Sequence, residues 1–120
     1  LHLSLRRQRQ MCIRDRMAFG VMGGHMQHQG HVQMVKRVFE FGQNPQAAID
    51  APRWHVYPDF TIGLESGFDQ SIASQLVDLG HVVRFEKNES VFGGAQLILR
   101  SENGFVAGSD SRKEGLAAGY

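Results

Sequence analysis

The chain has few of the residues that cross-link, coordinate metals or attack substrates. One of its 120 residues is cysteine, Cys12, and one is threonine, Thr61. From residue 17 onward there is no disulfide and no thiolate ligand, so cysteine usage says nothing about compartment. No apolar run is long enough to span a bilayer. No HExxH pattern is present, and no Ser, Cys or Thr stands in an evident nucleophile motif. What remains is an ordinary globular composition, 42% hydrophobic and 21% charged. A chain of this length forms at most one domain with a moderate core.

The net charge of +1 hides an uneven distribution. Residues 1–16 hold five arginines and one aspartate, leaving eight basic and eleven acidic residues for the rest. A nucleic-acid arm and a targeting segment are both open readings of such a head. It lacks a signal-type apolar core and has no aromatic residue for base stacking. Its MCIRDR run also resembles translated sequencing-adapter DNA. The head, residues 1–17, is therefore expected to be non-native or disordered, and residues 18–120 to be the folding unit.

The body is organised around AFGVMGGHMQHQGH. An apolar run reaches Gly23-Gly24, and a helical pattern follows over about 28–41. Val32, Val35, Val38 and Phe39 mark its inner face, with Gln33, Lys36, Arg37 and Glu40 outside. Gly42 stops the helix. Asn44 and Pro45 start a shorter one that ends before Pro52. Two strands follow, Arg53–Tyr57 and Phe60–Glu65. The first places Trp54 and Val56 on one face, the second Phe60, Ile62 and Leu64. Asp69 caps a second clear helix whose buried side is Ile72, Leu76 and Leu79, and Gly80 ends it. A strand over 81–87 and a loop over 88–94 lead to a hairpin with a type I′ turn at Asn103-Gly104. The tail from Ser109 reads as surface loop. This order predicts an α+β fold with a largely antiparallel sheet.

Several residues could carry chemistry. A strand that breaks at Gly23-Gly24 and opens a helix gathers backbone N–H groups, which suits an anion or an oxyanion and equally a plain turn. His25, His28 and His31 do not converge on one helix face, so no metal site is expected. Gln27 and Gln29 suit a polar substrate or the first free N–H groups of the helix. Asp50, Arg53 and His55 suggest acid–base work or an Asp50–Arg53 ion pair. Asp110 and Arg112 read as an exposed pair that fixes the tail.

Three separated phrases then carry a resemblance. GGHMQHQGHVQ, FEFGQNPQAAIDAPRWHV and GGAQLILRSENGFVAGSDSRKEGLAAGY are similar, in this order, to the C-terminal part of the small subunit of γ-glutamyltransferases. The middle phrase is matched by Gly42, Asn44, Pro45, Ala48, Ala51, Pro52, Arg53 and Trp54. The closing one is matched by Gly108, Asp110, Arg112, Gly115, Ala117, Gly119 and Tyr120. Ser111 stands where many members have Pro.

The resemblance implies a fragment of an αββα N-terminal nucleophile hydrolase. Such an enzyme transfers or hydrolyses γ-glutamyl groups of glutathione-like amides through an N-terminal Thr, without metal or organic cofactor. It implies that Gly23 and Gly24 are the oxyanion-hole glycines. It places the nucleophile upstream, since Thr61 reads as mid-strand. Partners would be the rest of the small subunit, the large subunit and a γ-glutamyl substrate, with no nucleic acid or membrane. The chain alone is expected to be inactive and to expose apolar sheet surface. A non-enzymatic α+β binding fragment is the alternative. Localisation is not indicated.

Overall fold

The computed structural model describes residues 17–119. The expectation for the head lies outside these residues, except at Met17, which opens the first strand. In chain order the elements are β1 (Met17–Met22), α1 (Gln27–Val35), α2 (Pro45–Asp50), β2 (Trp54–Val56) and β3 (Ile62–Leu64), then α3 (Gln70–Asp78), β4 (Val83–Phe85), β5 (Gly94–Ser101) and β6 (Gly104–Ser109). A 3₁₀ turn at Gly24–Met26 leads into α1, a π turn at Lys36–Glu40 extends it, and a 3₁₀ turn at Glu89–Phe92 leads into β5.

The strands form two sheets, ordered β1-β5-β6 and β2-β3-β4. Every pairing is antiparallel except β3 with β4, which α3 joins as a crossover. Parallel neighbours need such a long connection, whereas β5 and β6 need only a tight turn. This is the expected α+β architecture of helices on mainly antiparallel sheet.

The local signals act as their chemistry dictates. Asn44 Oδ1 accepts from the Ala47 N–H at 2.9 Å with Pro45 in the first helical turn, and Asp69 Oδ1 accepts from the Ser71 N–H at 2.8 Å. Each satisfies a donor that the helix itself leaves free. Gly42 (φ +65°) and Gly80 (φ +91°) end their helices in the left-handed region. In the core, Val21, Ala95 and Leu97 of the first sheet meet Met26, Met34 and Ile49. Gly30 lets α1 lie close to β1, because a Cβ there would stand 2.7 Å from Val21 Cγ1.

Four expectations are corrected. The inner face of α1 is Gly30, Gln33 and Met34, continued by Val38, while Val32 and Phe39 are about half exposed (52% and 49%). The cause is that α1 faces an open strand edge as well as the core. Gln29 Oε1 accepts from the Val56 N–H (2.8 Å) and its Nε2 donates to the Val56 carbonyl (2.9 Å). Gln33 repeats this on Trp54, at 3.2 and 2.9 Å. Two glutamines one helical turn apart thus close the edge of β2, whose polar backbone groups need partners when shielded from water.

The α3 face is also different. Ala73 is buried, but Ile72 and Leu79 are 43% and 76% exposed. The helix packs along β4, while Ile72 and Leu76 border a cavity that separates them from α1 and from β2 and β3. Phe60 does not share a face with Ile62 and Leu64. It sits in the preceding turn at φ +63°, 81% exposed, its N–H bonded to the Tyr57 carbonyl. Asp59 Oδ1 takes the Thr61 N–H at 3.0 Å, prolonging the turn so that the strand starts only at Ile62.

The hairpin loop is Glu102-Asn103, because Ser101 pairs with Gly104. Among the described residues Phe60 is the only non-glycine with positive φ, so this is not a type I′ turn. Gly104, at φ +144°, opens β6 instead and takes up the backbone reversal.

Candidate active site: two abutting glycine turns

Strand β1 ends at Met22, and the chain turns through Gly23 and Gly24, the latter at φ +56°. The Gly23 carbonyl accepts from the Met26 N–H at 3.1 Å, which starts the 3₁₀ turn. Outside the helix and strand ladders, no hydrogen bond joins the Gly23 or Gly24 N–H to a described residue. Both glycines stand at a helix entry, where backbone donors and the helix dipole favour negative charge.

Behind them lies a second glycine turn that the sequence reading passes over as loop. Gly94 is the register partner of Met22, and Gly93 adopts φ +67°. A Cβ on Gly93 would stand 1.8 Å from the Met22 carbonyl oxygen, and one on Gly23 would stand 3.2 Å from Gly93 Cα. The two Gly-Gly pairs touch backbone to backbone. The available sequence signal was the recurrence of Gly-Gly at the mouth of a second strand.

Beneath this contact is a buried ionic network that joins both sheets. Arg53 Nη2 meets Asp110 Oδ2 at 2.5 Å, with both side chains fully buried. Arg53 Nη1 also donates to the Phe92 carbonyl at 3.0 Å, and Asp110 Oδ2 accepts from the Ala95 N–H at 2.6 Å. Arg112 binds Glu65 through Nε (2.5 Å) and Nη2 (2.7 Å), and reaches Asp110 Oδ1 through Nη1 (3.1 Å). The tail is therefore not surface loop at this point, and Asp110–Arg112 is not an exposed pair. Asp50 does not pair with Arg53 either; its carboxylate accepts from Gln46 Nε2 at 3.0 Å.

The arginines converge on the C-terminal end of α2, where carbonyls lack helical partners. Arg53 takes the Ile49 carbonyl, Arg112 takes those of Ile49 and Ala51, and Arg37 takes those of Ala48, Ala51 and Pro52. Burial, with Arg53 and Arg112 nearby, pushes the Arg37 guanidinium down to about 10. Burial opposes ionisation of Asp110, but the N–H groups of Ala95 and Arg112 and the Arg53 guanidinium hold its carboxyl below the usual range. Burial likewise opposes the Arg112 charge, which Glu65 and Asp110 more than restore.

The remaining candidates are scattered. His25, His28 and Gln27 are exposed. His31 Nε2 accepts from the Val21 N–H at 3.2 Å, and its ring lies edge-on to Phe19. Gln29 serves β2 and not the first N–H groups of α1. Among the described residues no three His, Cys, Asp or Glu side chains stand together as a metal site would need. A cavity of about 550 Å³ lies between α1 and α3 over Trp54 and Val56, and its wall carries no hydroxyl, thiol or carboxylate side chain.

His55 is buried against the Tyr57 ring at 4.3 Å, and its Nδ1 has no partner. Burial lowers its pKa; Glu86 opposes this, and His28 and His25 add to it. A base with a lowered folded-state pKa takes up protons more readily when unfolded. Stability is then complete above the ordinary histidine range and falls as pH drops through it. Urea unfolding should give a lower midpoint at pH 5.5 than at pH 7.5, and His55→Phe should flatten that difference. An unchanged slope in the variant would exclude His55 as the source.

The helices on largely antiparallel sheets match part of solved acylase and transpeptidase structures, and by that likeness the chain is a piece of the αββα N-terminal nucleophile hydrolase fold. The crystal structure of cephalosporin acylase from Bacillus halodurans superposes with a TM-score of 0.80 at 42% identity, over 85% of this chain and 19% of that one. The γ-glutamyltranspeptidase of Pseudomonas nitroreducens, complexed with L-DON, shares the fold with a TM-score of 0.75 at 21% identity, over 87% of this chain and 55% of that one. The chain belongs to the γ-glutamyltranspeptidase family, whose family model, described as Gamma-glutamyltranspeptidase, matches residues 10–120. It is 31% identical over 113 residues to the glutathione hydrolase-like YwrD proenzyme of Bacillus subtilis, and 32% identical over 89 residues to glutathione hydrolase proenzyme 2 of Schizosaccharomyces pombe. These alignments take in 88% and 72% of this chain but only 22% and 14% of those relatives.

Proposed function

We propose that this chain supplies the oxyanion-binding part of an enzyme that transfers or hydrolyses γ-glutamyl groups of glutathione-like amides. The nucleophile, an N-terminal Thr, belongs to sequence upstream of Gly23. Its hydroxyl attacks the γ-carbonyl carbon, and its own α-amine takes the proton. The carbonyl oxygen gains a negative charge in the tetrahedral intermediate. The N–H groups of Gly23 and Gly24 receive that charge, each donor being worth on the order of 10²–10³ in rate. Collapse, with the α-ammonium handing its proton to the leaving nitrogen, breaks the C–N bond, releases the amine and leaves an acyl-enzyme, which water or an amino acid then resolves. No metal or organic cofactor enters this scheme.

The observation that supports this reading is the pair of glycines at the helix entry, whose N–H groups bond to no described residue outside the helix and strand ladders. Family membership adds to it. Thr61 does not compete for the nucleophile's role, since it is buried beside β3 with its N–H turned to Asp59. Partners are the remainder of the small subunit and the large subunit. Ile98, Phe105 and Val106, exposed on β5 and β6, suit covering by such a partner.

Two assays test the proposal. This chain alone should give no turnover of a chromogenic γ-glutamyl anilide above background, whereas the full-length parent should turn it over. Turnover by the isolated chain would overturn the missing nucleophile, and an inactive parent would overturn the reaction class.

A further inference from the structure

We infer that Gly93 is a positioning residue for the Gly23 N–H, and that the buried Arg53–Asp110 pair holds Gly93 in place. This rests on the oxyanion reading above. The peptide between Met22 and Gly23 is planar and trans, so its carbonyl and its N–H point in opposite directions. Gly93 lies against the carbonyl side, where a Cβ would come within 1.8 Å of the Met22 oxygen and 3.0 Å of Gly23 Cα. With the oxygen backed by Gly93, the N–H is aimed away from it. Rotation of the peptide toward Gly93 drives the oxygen into the Gly93 backbone, which therefore acts as a stop.

The stop is itself fixed on both sides. The residue before it, Phe92, gives its carbonyl to Arg53 Nη1 at 3.0 Å. Two residues after it, the Ala95 N–H goes to Asp110 Oδ2 at 2.6 Å. Those two side chains bind each other at 2.5 Å and are fully buried. The Gly93 N–H donates to the Ser90 carbonyl at 3.2 Å. Gly93 also needs φ +67°, where a side chain is disfavoured even with space available. An alanine at 93 must either leave that conformation or push the Met22 oxygen aside, and the second outcome re-aims the Gly23 donor.

The test uses the full-length parent enzyme, with rates scored on the mature, processed fraction. Gly93→Ala should lower kcat for a γ-glutamyl anilide on the order of 10²-fold while KM stays within about threefold, the mark of an interaction made in the transition state. Gly20→Ala, where a Cβ meets nothing within 4 Å, should keep kcat within about twofold. Asp110→Asn retains an acceptor for the Ala95 N–H but loses the charge; it should lower kcat about tenfold at unchanged KM. A Gly93→Ala enzyme with kcat near wild type, or one whose KM rises instead, overturns the positioning role. So does failure of both variants to mature, since the contact would then only hold the fold. If the wild-type parent lacks γ-glutamyl turnover, the oxyanion reading fails and the positioning role fails with it.

Discussion

Arg53→Ala is expected to lower the stability of this chain by about 3–5 kcal/mol, read as a shift in the urea unfolding midpoint. Arg53 is fully buried and meets Asp110 at 2.5 Å. It also donates to the carbonyls of Ile49 and Phe92. Its removal takes the closer of two counter-charges from the buried Asp110 carboxylate, leaving only Arg112, and leaves the Phe92 carbonyl without its donor, and the cavity adds to the cost. Domains of this size are stable by about 5–15 kcal/mol, so the variant stands near the edge of folding. Asp110→Ala should cost a similar amount from the other side of the pair. The double change Arg53→Met with Asp110→Leu should cost less than either single change, because no charge is then left alone in the interior. A single variant that loses less than about 1 kcal/mol would show that water reaches the site and the pair is not sealed.

Gln33→Leu is expected to cost about 2–4 kcal/mol. Gln33 is 4% exposed, and its amide satisfies both the N–H and the carbonyl of Trp54. Leucine has a similar size but offers neither donor nor acceptor, so two backbone groups lose their partners at about 1–3 kcal/mol each. Trp54 is only half buried, which keeps the total toward the lower end. Gln27→Leu on the exposed side of the same helix should be close to neutral. Amide exchange adds a second readout, since the Trp54 N–H should lose protection in Gln33→Leu while the α3 amides do not. Equal stability of the Gln33 and Gln27 variants would reject the edge-closing role.

Both predictions concern residues whose positions were only partly legible in the sequence. The chain's punctuation was readable. Asn44, Pro45, Asp69, Gly42 and Gly80 start or stop helices through their own side chains and backbone, without help from distant residues. The α+β order and most strand positions followed. The orientation of α1 did not, because periodicity assigns apolar side chains to the inside and polar ones to the outside. Gln33 and Arg37 break that rule. What they face is unpaired backbone, on β2 and at the end of α2, and no hydrophobic pattern records unpaired backbone. Of the apolar residues that periodicity placed inside α3, Ile72 and Leu76 border the cavity toward α1 without being close-packed, and Leu79 is exposed.

The candidate site divides in the same way. Gly23-Gly24 stood out locally, and three phrases in family order gave it a meaning. Its support did not stand out. Gly93, Arg53 and Asp110 lie 70, 30 and 87 positions from Gly23 in sequence. Pairing of β1 with β5 brings Gly93 to Gly23, pairing of β5 with β6 brings Asp110, and Arg53 joins them through its bonds to Asp110 and Phe92. Asp110 and Arg112 looked like a solvated pair because the tail around them has no period, yet Asp110 is one of the most buried side chains of the molecule.

The glutamine joint has one further consequence. A strand edge closed by a neighbouring strand depends on backbone amides, which are chemically durable. The edge of β2 depends instead on the side-chain amides of Gln29 and Gln33, with Gln46 treating Ser109 of β6 in the same way. Hydrolysis of any of these to glutamate replaces a donor with a negatively charged acceptor facing a carbonyl oxygen, so the bond gives way to repulsion. These seams between helix and sheet are therefore subject to chemical ageing, and slow deamidation would loosen them while every backbone peptide bond stayed intact.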